Sequence, residues 1–246
     1  MVFIVGDIHG EISKLRKLIK NICYVDPDPS FIFIGDYIDK GENSKAVLDY
    51  LIELNLLFNC KFLMGNHEYF WMEADWKNQQ ILDYVIKYGG IQTIQSFSCK
   101  NILETKKIFM RVPYWSFFKE LVPYIQYNNY TIVHSGIPDL YYQTITKFIP
   151  PKELLLNRYD FIRNSSYYLD KYKIIFGHTG FYSPYYDGYK IGIDTAACFL
   201  KRQPLTAFNA DKHYFLNSQN DTYELSSISN SCCPNIIRNT PWRTLE

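Results

Sequence analysis

Along the amino-terminal quarter of the chain, apolar positions alternate between two patterns. Val2-Phe3-Ile4-Val5 is a continuous apolar run ending at Gly6, the pattern of a strand buried on both faces. Glu11–Ile22 then puts Ile12, Leu15, Leu18, Ile19 and Ile22 on one face and Lys14, Arg16, Lys17 and Lys20 elsewhere, which is helical spacing. Phe31–Ile34 repeats the strand pattern. Ser44–Asn55 repeats the helix, with Val47, Leu48, Leu51 and Ile52 inward, and Lys61–Met64 is a third strand. The order strand, helix, strand, helix, strand predicts an α/β sheet with parallel strands.

After Tyr69 the pattern changes. Trp71, Trp76, Ile81, Tyr84, Val85 and Tyr88 predict helices, Gly89-Gly90 a break, and Tyr114–Leu121 a further helix. Residues 69–129 thus read as a mostly helical insertion covering one side of the sheet's rim. Strands resume at Thr131–Val133 and Lys173–Phe176. Lys190–Ile193, Leu205–Phe208, His213–Leu216 and Thr222–Leu225 read as further strands, expected to be antiparallel and to close a second sheet. A single domain over residues 1–225 and a peripheral polar tail over 226–246, with Pro234 and Pro241, complete the expected organisation.

Composition changes this picture little. The 246 residues are 47% hydrophobic, ample for a core, and the net charge of +1 argues against a generalised surface for duplex nucleic acid or membrane. The 22 Tyr and 17 Phe read as the imprint of an AT-rich coding sequence rather than a stacking role. Cys23, Cys60, Cys99, Cys198, Cys232 and Cys233 show no CxxC spacing, so no zinc knuckle or dithiol motif is expected and Cys232-Cys233 reads as an inert pair. No apolar run approaches the ~18 residues of a membrane span, and a reducing cytoplasm is the expected setting.

The chemistry lies where the strands end. Gly6-Asp7-Ile8-His9-Gly10, Gly35-Asp36-Tyr37-Ile38-Asp39-Lys40-Gly41 and Gly65-Asn66-His67-Glu68 follow the first three strands; His134-Ser135-Gly136 and Gly177-His178-Thr179 follow two later ones. Ligands of open α/β sheets gather beyond the carboxyl ends of the strands, so Asp7, His9, Asp36, Asp39, Asn66 and His67 of the first three blocks share one rim. A dinuclear hydrolytic site needs a bridging ligand, terminal ligands and open positions for phosphate and water. Carboxylate suits the bridge; neutral imidazole and amide oxygen suit the terminal positions.

In residues, order and strand context, GDIHG, GDYIDKG and GNHE, followed by His134 and GHT, resemble the motifs of the phosphoprotein-phosphatase branch of the metallophosphoesterases. That branch includes bacterial and phage serine/threonine protein phosphatases and symmetrical diadenosine tetraphosphatases, and the resemblance runs from Gly6 to about Thr195. It implies a calcineurin-like β-sandwich of two mixed sheets flanked by helices. It also implies Asp7, His9 and Asp36 on a first metal, and Asp36, Asn66, His134 and His178 on a second. His67 would be the general acid, oriented and charged by Asp39, and a hydroxide between the metals would attack phosphorus in line. Arg158 would bind phosphate together with Asn66 and Lys40, with Arg163 a rival for Arg158. Two departures stand out: Lys40 replaces an arginine and lacks its bidentate fork, and Ser135 adds a side chain expected to crowd the site slightly. Two metal ions are implied, most readily manganese, with iron or zinc compatible with an N/O donor set.

Taken singly, each block has a plain structural explanation. Asp36 and Asp39 could cap the helix that follows, His67 could be a core histidine satisfied by Glu68, and Arg158 could snorkel from a leucine-rich segment. All blocks together, in this order, override those explanations, whereas His213 stands outside any motif and reads as an ordinary strand residue. The expected activity is a dinuclear-metal phosphoesterase acting on phosphoserine and phosphothreonine in proteins. The alternative is a symmetrical bis(5'-nucleosyl)-tetraphosphatase or another phosphoanhydride hydrolase. A binding module without turnover is disfavoured by the intact ligand positions and the Asp39–His67 pair. The substrate-discriminating walls are expected in residues 69–129 and 181–189.

Overall fold

The computed structural model describes residues 1–72, 77–138, 151–163 and 173–228; Trp76, Cys232, Cys233 and the tail from 229 onward lie outside them. The first strands form as the pattern predicts. β1 (Val2–Val5), β2 (Ser30–Phe33) and β3 (Cys60–Phe62) run parallel, joined by α1 (Ile12–Val25) and α2 (Ser44–Leu57). α1 ends where Asp26 turns extended, φ −137°, because the following Pro27 excludes the helical conformation at the residue before it.

Each strand divides its side chains between two layers. Phe3, Val5, Phe31 and Phe33 pack with Leu15, Leu18, Val47 and Leu51 under the helices. Ile4, Ile32 and Ile34 face the other way, onto Ile132, Ile175, Ile191 and Ile193 of the second sheet. This period-2 division of an all-apolar run is what makes the strand signal continuous rather than alternating.

Five helices, α3 (Asn66–Met72), α4 (Gln79–Val85), α5 (Ile91–Ser96), α6 (Ile102–Phe109) and α7 (Tyr114–Lys119), fill most of the expected helical stretch. A π turn, Ile86–Gly90, joins α4 to α5, and Gly89 takes φ +102° there. The stretch ends in a strand that the pattern missed, β4 (Tyr124–Tyr127), which pairs antiparallel with β5 (Tyr130–Val133). After α8 (Tyr159–Arg163) come β6 (Lys173–Phe176), β7 (Tyr185–Tyr186) and β8 (Lys190–Gly192).

The expected partners of the last strands need correction. β8 does join the second sheet, ordered β4-β5-β6-β8-β7, but it runs parallel to β6. β9 (Thr206–Asn209), β10 (Tyr214–Asn217) and β11 (Thr222–Glu224) are antiparallel and extend the first sheet, ordered β11-β10-β9-β1-β2-β3. Alternation reports which residues share a face, not which edge a hairpin joins. The result is two mixed sheets flanked by helices, an α/β sandwich in which the carboxyl ends of β1, β2, β3, β5, β6 and β8 open on the same rim. Among the described residues no helix is long and apolar enough to cross a membrane.

Candidate metal centre

The rim residues converge. His9, Asp36 and His67 form one group of donor atoms within 4.8 Å of one another, and Asp36, His134 and His178 form another, so Asp36 belongs to both. All five are buried. Asp7 lies beside them, its Oδ2 accepting the backbone N–H of His178 at 3.0 Å. Asn66 opens α3, with Oδ1 3.0 Å from His134 Nε2. Asp7 belongs to neither group and is tied to them through the backbone N–H of His178, while His67, expected as the acid, stands within the first.

Tautomers follow from the outer partners. His9 Nδ1 lies 2.8 Å from the carbonyl of Ile38, and His134 Nδ1 lies 2.8 Å from the carbonyl of Ile34. A carbonyl only accepts, so each Nδ1 carries the proton. Burial, with Lys40 adding to it at His9, holds the pKa of both rings below the ordinary value, which favours neutral imidazoles with a lone pair on Nε2. His9 Nε2 then faces Asp36 Oδ2 at 3.1 Å, and His134 Nε2 faces Asp36 Oδ1 at 3.4 Å and the Asn66 oxygen. Lone pairs aimed at lone pairs repel unless a cation lies among them. A histidine that gives its other N–H to a backbone carbonyl is the usual arrangement of a metal ligand.

The carboxylates make the same demand. Burial pushes Asp7 well above the usual range, with Asp194 and then Asp36 adding repulsion. Burial also raises Asp36, yet its place among the rings of His134, His67 and His9 keeps that carboxyl well below its ordinary value. Asp7 Oδ1 is buried with no hydrogen-bond partner among the described residues. Acid groups of this density, faced by neutral imidazoles and an unused carboxylate oxygen, fit divalent cations bound through oxygen and nitrogen.

Two side-chain cations already reach in. Lys40 Nζ lies 2.8 Å from His9 Nε2 and 4.7 Å over the Phe199 ring. Arg158 Nε donates to His178 Nε2 at 2.7 Å, and burial followed by Arg158 holds His178 well below its ordinary pKa. Arg163, the rival, is exposed at the end of α8. His213 sits in the β9–β10 turn; since Asn209 pairs with Phe3, that turn lies at the amino end of β1, away from the rim. Ser135 does not crowd the site: its hydroxyl donates to the carbonyl of Leu154 at 2.6 Å and accepts Asn157 N–H at 3.1 Å, fastening the segment that carries Arg158.

His67 is held differently from the other rings. Its Nδ1 is 2.8 Å from Asp39 Oδ2, a carboxylate rather than a carbonyl. Sequence reasoning missed two carboxylates nearby. Glu68 turns away from His67 and accepts the backbone N–H groups of Asp36, Tyr37, Ile38 and Gly65 at 2.8–3.3 Å. Burial and the neighbouring Asp36 push its carboxyl up to about 8 against those hydrogen bonds. Gly65 permits the approach, because a Cβ there would stand 2.2 Å from Asp36 N. Asp194 follows β8 and accepts Ala196 N–H at 2.8 Å. A carboxylate directly after a rim strand was the signal for it. Five rim residues, His9, Asp36, Asp39, Lys40 and His178, hold φ between +45° and +69°.

The family model for calcineurin-like phosphoesterases matches residues 1–214. A candidate serine/threonine-protein phosphatase of Caenorhabditis elegans is 39% identical over 69 residues, 27% of this chain and 15% of that protein. The serine/threonine-protein phosphatase 2B catalytic subunit A2 of Saccharomyces cerevisiae is 44% identical over 72 residues, 27% of this chain and 11% of that protein. The match therefore spans under a sixth of these curated relatives' lengths. Among solved structures, a cold-active protein-tyrosine phosphatase of a psychrophilic Shewanella superposes with TM-score 0.63 at 13% identity, covering 91% of this chain and 80% of that one. A candidate diadenosine tetraphosphatase superposes with TM-score 0.60 at 16% identity, covering 88% and 91%. The structures show a common fold, and with the model match over residues 1–214 the chain belongs to the calcineurin-like phosphoesterase family.

Proposed function

We propose that this chain is a dinuclear metal-dependent phosphomonoesterase acting on phosphoserine and phosphothreonine in proteins. The observation that carries the reading is Asp36, shared by two donor groups beside the Asp39–His67 pair. Asp7, His9 and Asp36 would hold one cation, and Asp36, Asn66, His134 and His178 the other. When bound, such cations polarise phosphate oxygens and lower the pKa of water so that it is a nucleophile near neutral pH.

The remaining steps belong to the chain's own groups. Arg158 and Lys40 present positive charge to the phosphate, Arg158 through a planar fork and Lys40 as a point charge. Asp39 accepts the Nδ1 proton of His67 and fixes the ring. Nε2 of His67, 3.9 Å from Asp36 Oδ2, then faces the rim, from which it delivers a proton to the leaving oxygen. His9 and His134 give Nδ1–H to neutral carbonyls, which supports their use as ligands and His67 as the acid.

The second reading, cleavage of dinucleoside polyphosphates, is favoured by the likeness to the candidate diadenosine tetraphosphatase and by the Phe70–Tyr84–Tyr88 aromatic row, with ring centroids 4.2 and 4.3 Å apart. The protein, stripped with chelator, is expected to regain p-nitrophenyl phosphate hydrolysis on addition of Mn2+. No recovery with manganese, iron or zinc overturns the enzymatic reading. Parallel assays on phosphoserine and phosphotyrosine peptides and on diadenosine tetraphosphate decide the substrate; exclusive turnover of the dinucleotide overturns the protein-phosphatase assignment.

A further inference from the structure

Asp39 is gripped by side chains from outside every motif block. Its Oδ1 accepts Thr93 Oγ1–H at 2.6 Å and Trp71 Nε1–H at 3.0 Å, while Oδ2 accepts His67 Nδ1–H at 2.8 Å and shares the indole at 3.2 Å. The protons can be assigned completely. Thr93 gives its single hydroxyl proton to Asp39 Oδ1, so in the 2.9 Å contact between Thr93 and Ser44 the serine must donate. The backbone N–H of Asp39 is shared by Thr93 Oγ1 at 2.9 Å and Ser44 Oγ at 3.1 Å. Thr93 and Ser44 are both fully buried. One threonine therefore holds both the backbone and the carboxylate of Asp39.

Thr93 belongs to α5, and the π turn leading into α5 touches the next residue of the same loop. The carbonyl of Gly89 accepts Lys40 N–H at 3.2 Å, and a Cβ on Gly89, besides being strained at φ +102°, would stand 2.3 Å from Lys40 N. The helical stretch thus docks on Asp39 and Lys40 through contacts of hydrogen-bond length, closer than a covering wall requires.

We propose that Thr93 is a positioning residue for the Asp39–His67 pair, so that the α4–α5 segment is part of the proton-delivery apparatus. The proposal rests on the reading of His67 as general acid. Without the Thr93 hydroxyl, Asp39 Oδ1 keeps only the indole, the carboxylate can turn about its Cβ–Cγ bond, and the ring of His67 loses its reference. A poor leaving group feels that loss because it departs only with a proton; a good one departs without.

The experiment compares phenyl phosphate with p-nitrophenyl phosphate, two substrates of similar shape and different leaving-group strength, on the Mn2+-loaded protein. Thr93→Val is expected to lower kcat on phenyl phosphate about tenfold, the effect of one hydrogen bond to a charged group. Turnover of p-nitrophenyl phosphate and the bound metal should be unchanged. Thr93→Ser should restore most of the loss. Thr93→Ala gives the same reading if valine fails to fold. Equal loss on both substrates, or a serine variant as poor as valine, overturns the proposal. His67→Ala run alongside separates the two ideas. If it too loses both substrates equally, the general-acid reading falls and the proposal with it. If it is selective while Thr93→Val is not, only the proposal falls.

Discussion

Asp36 and His134 face each other across the junction of the two sheets, yet the chain fixes them by different means. On the first-sheet side, the loop from Asp36 to Gly41 is wrapped in buried polar groups: four backbone N–H groups converge on Glu68, and Asp39 is bound by Thr93, Trp71 and His67. On the second-sheet side, Phe161, Phe176, Phe181 and Tyr185 pack into an apolar cluster beneath the Arg158 segment. Among the described residues, polar ties there run from Ser135 to Leu154 and Asn157, and from Lys190 Nζ to the carbonyls of Phe161 and Ile162 at 3.0 Å. On the proposed roles, directional bonds suit His67, which would have to present one atom for proton transfer, while apolar packing would be enough to deliver the Arg158 guanidinium to an anion. Damage to the first side should therefore appear in kcat, and damage to the second in KM.

The sharpest way to break this contrast is His67→Ala. It is expected to lower kcat on unactivated esters by about 10²–10⁴ while keeping both metals. Metal loss measured by elemental analysis would overturn its assignment as acid and move it into the ligand set. Glu68→Gln comes next. A glutamine would turn an NH2 group toward backbone donors, and the melting curve should show a loss of about 1.5–3 kcal/mol. A variant that melts with wild type would mean the Asp36 loop does not depend on that carboxylate. The mildest is Ser135→Ala, which frees the Arg158 segment and is expected to raise KM a fewfold, consistent with about 0.5–1.5 kcal/mol for a neutral hydrogen bond, with kcat held. A fall in kcat at constant KM would erase the distinction between the two sides.

The same contrast explains what could be read from the residues alone. β1 to β3, α1 and α2 were legible because each buries a regular set of positions: Phe3 and Val5 on one layer, Ile4 on the other. Asp7, His9, Asp36, Asp39, Asn66 and His67 were legible as a rim because each follows a strand, while His134 and His178 joined them through the resemblance. β4 was not, since Tyr124-Ile125-Gln126-Tyr127 is an edge strand with only Ile125 buried and sits in a helix-rich stretch. Thr93 was not, because a lone hydroxyl far along the chain from Asp39 carries no periodic trace of its partner. Glu68 was visible only in an alternative for His67 that was set aside: it serves the backbone of residues 36–38, and a backbone acceptor is specified by loop conformation, which composition does not encode.

Five rim residues hold the left-handed backbone region that side chains ordinarily avoid, at roughly 1 kcal/mol or more apiece. A mutant library sorted only for heat resistance should therefore drift toward glycine at Lys40, whose backbone N–H to Gly89 survives the change, but not at Asp39, where losing the bonds to Thr93, Trp71 and His67 costs more than the strain relieved. Read in reverse, such a library is a detector: a position where glycine hardens the protein is one where the fold carries backbone strain for the sake of a side chain.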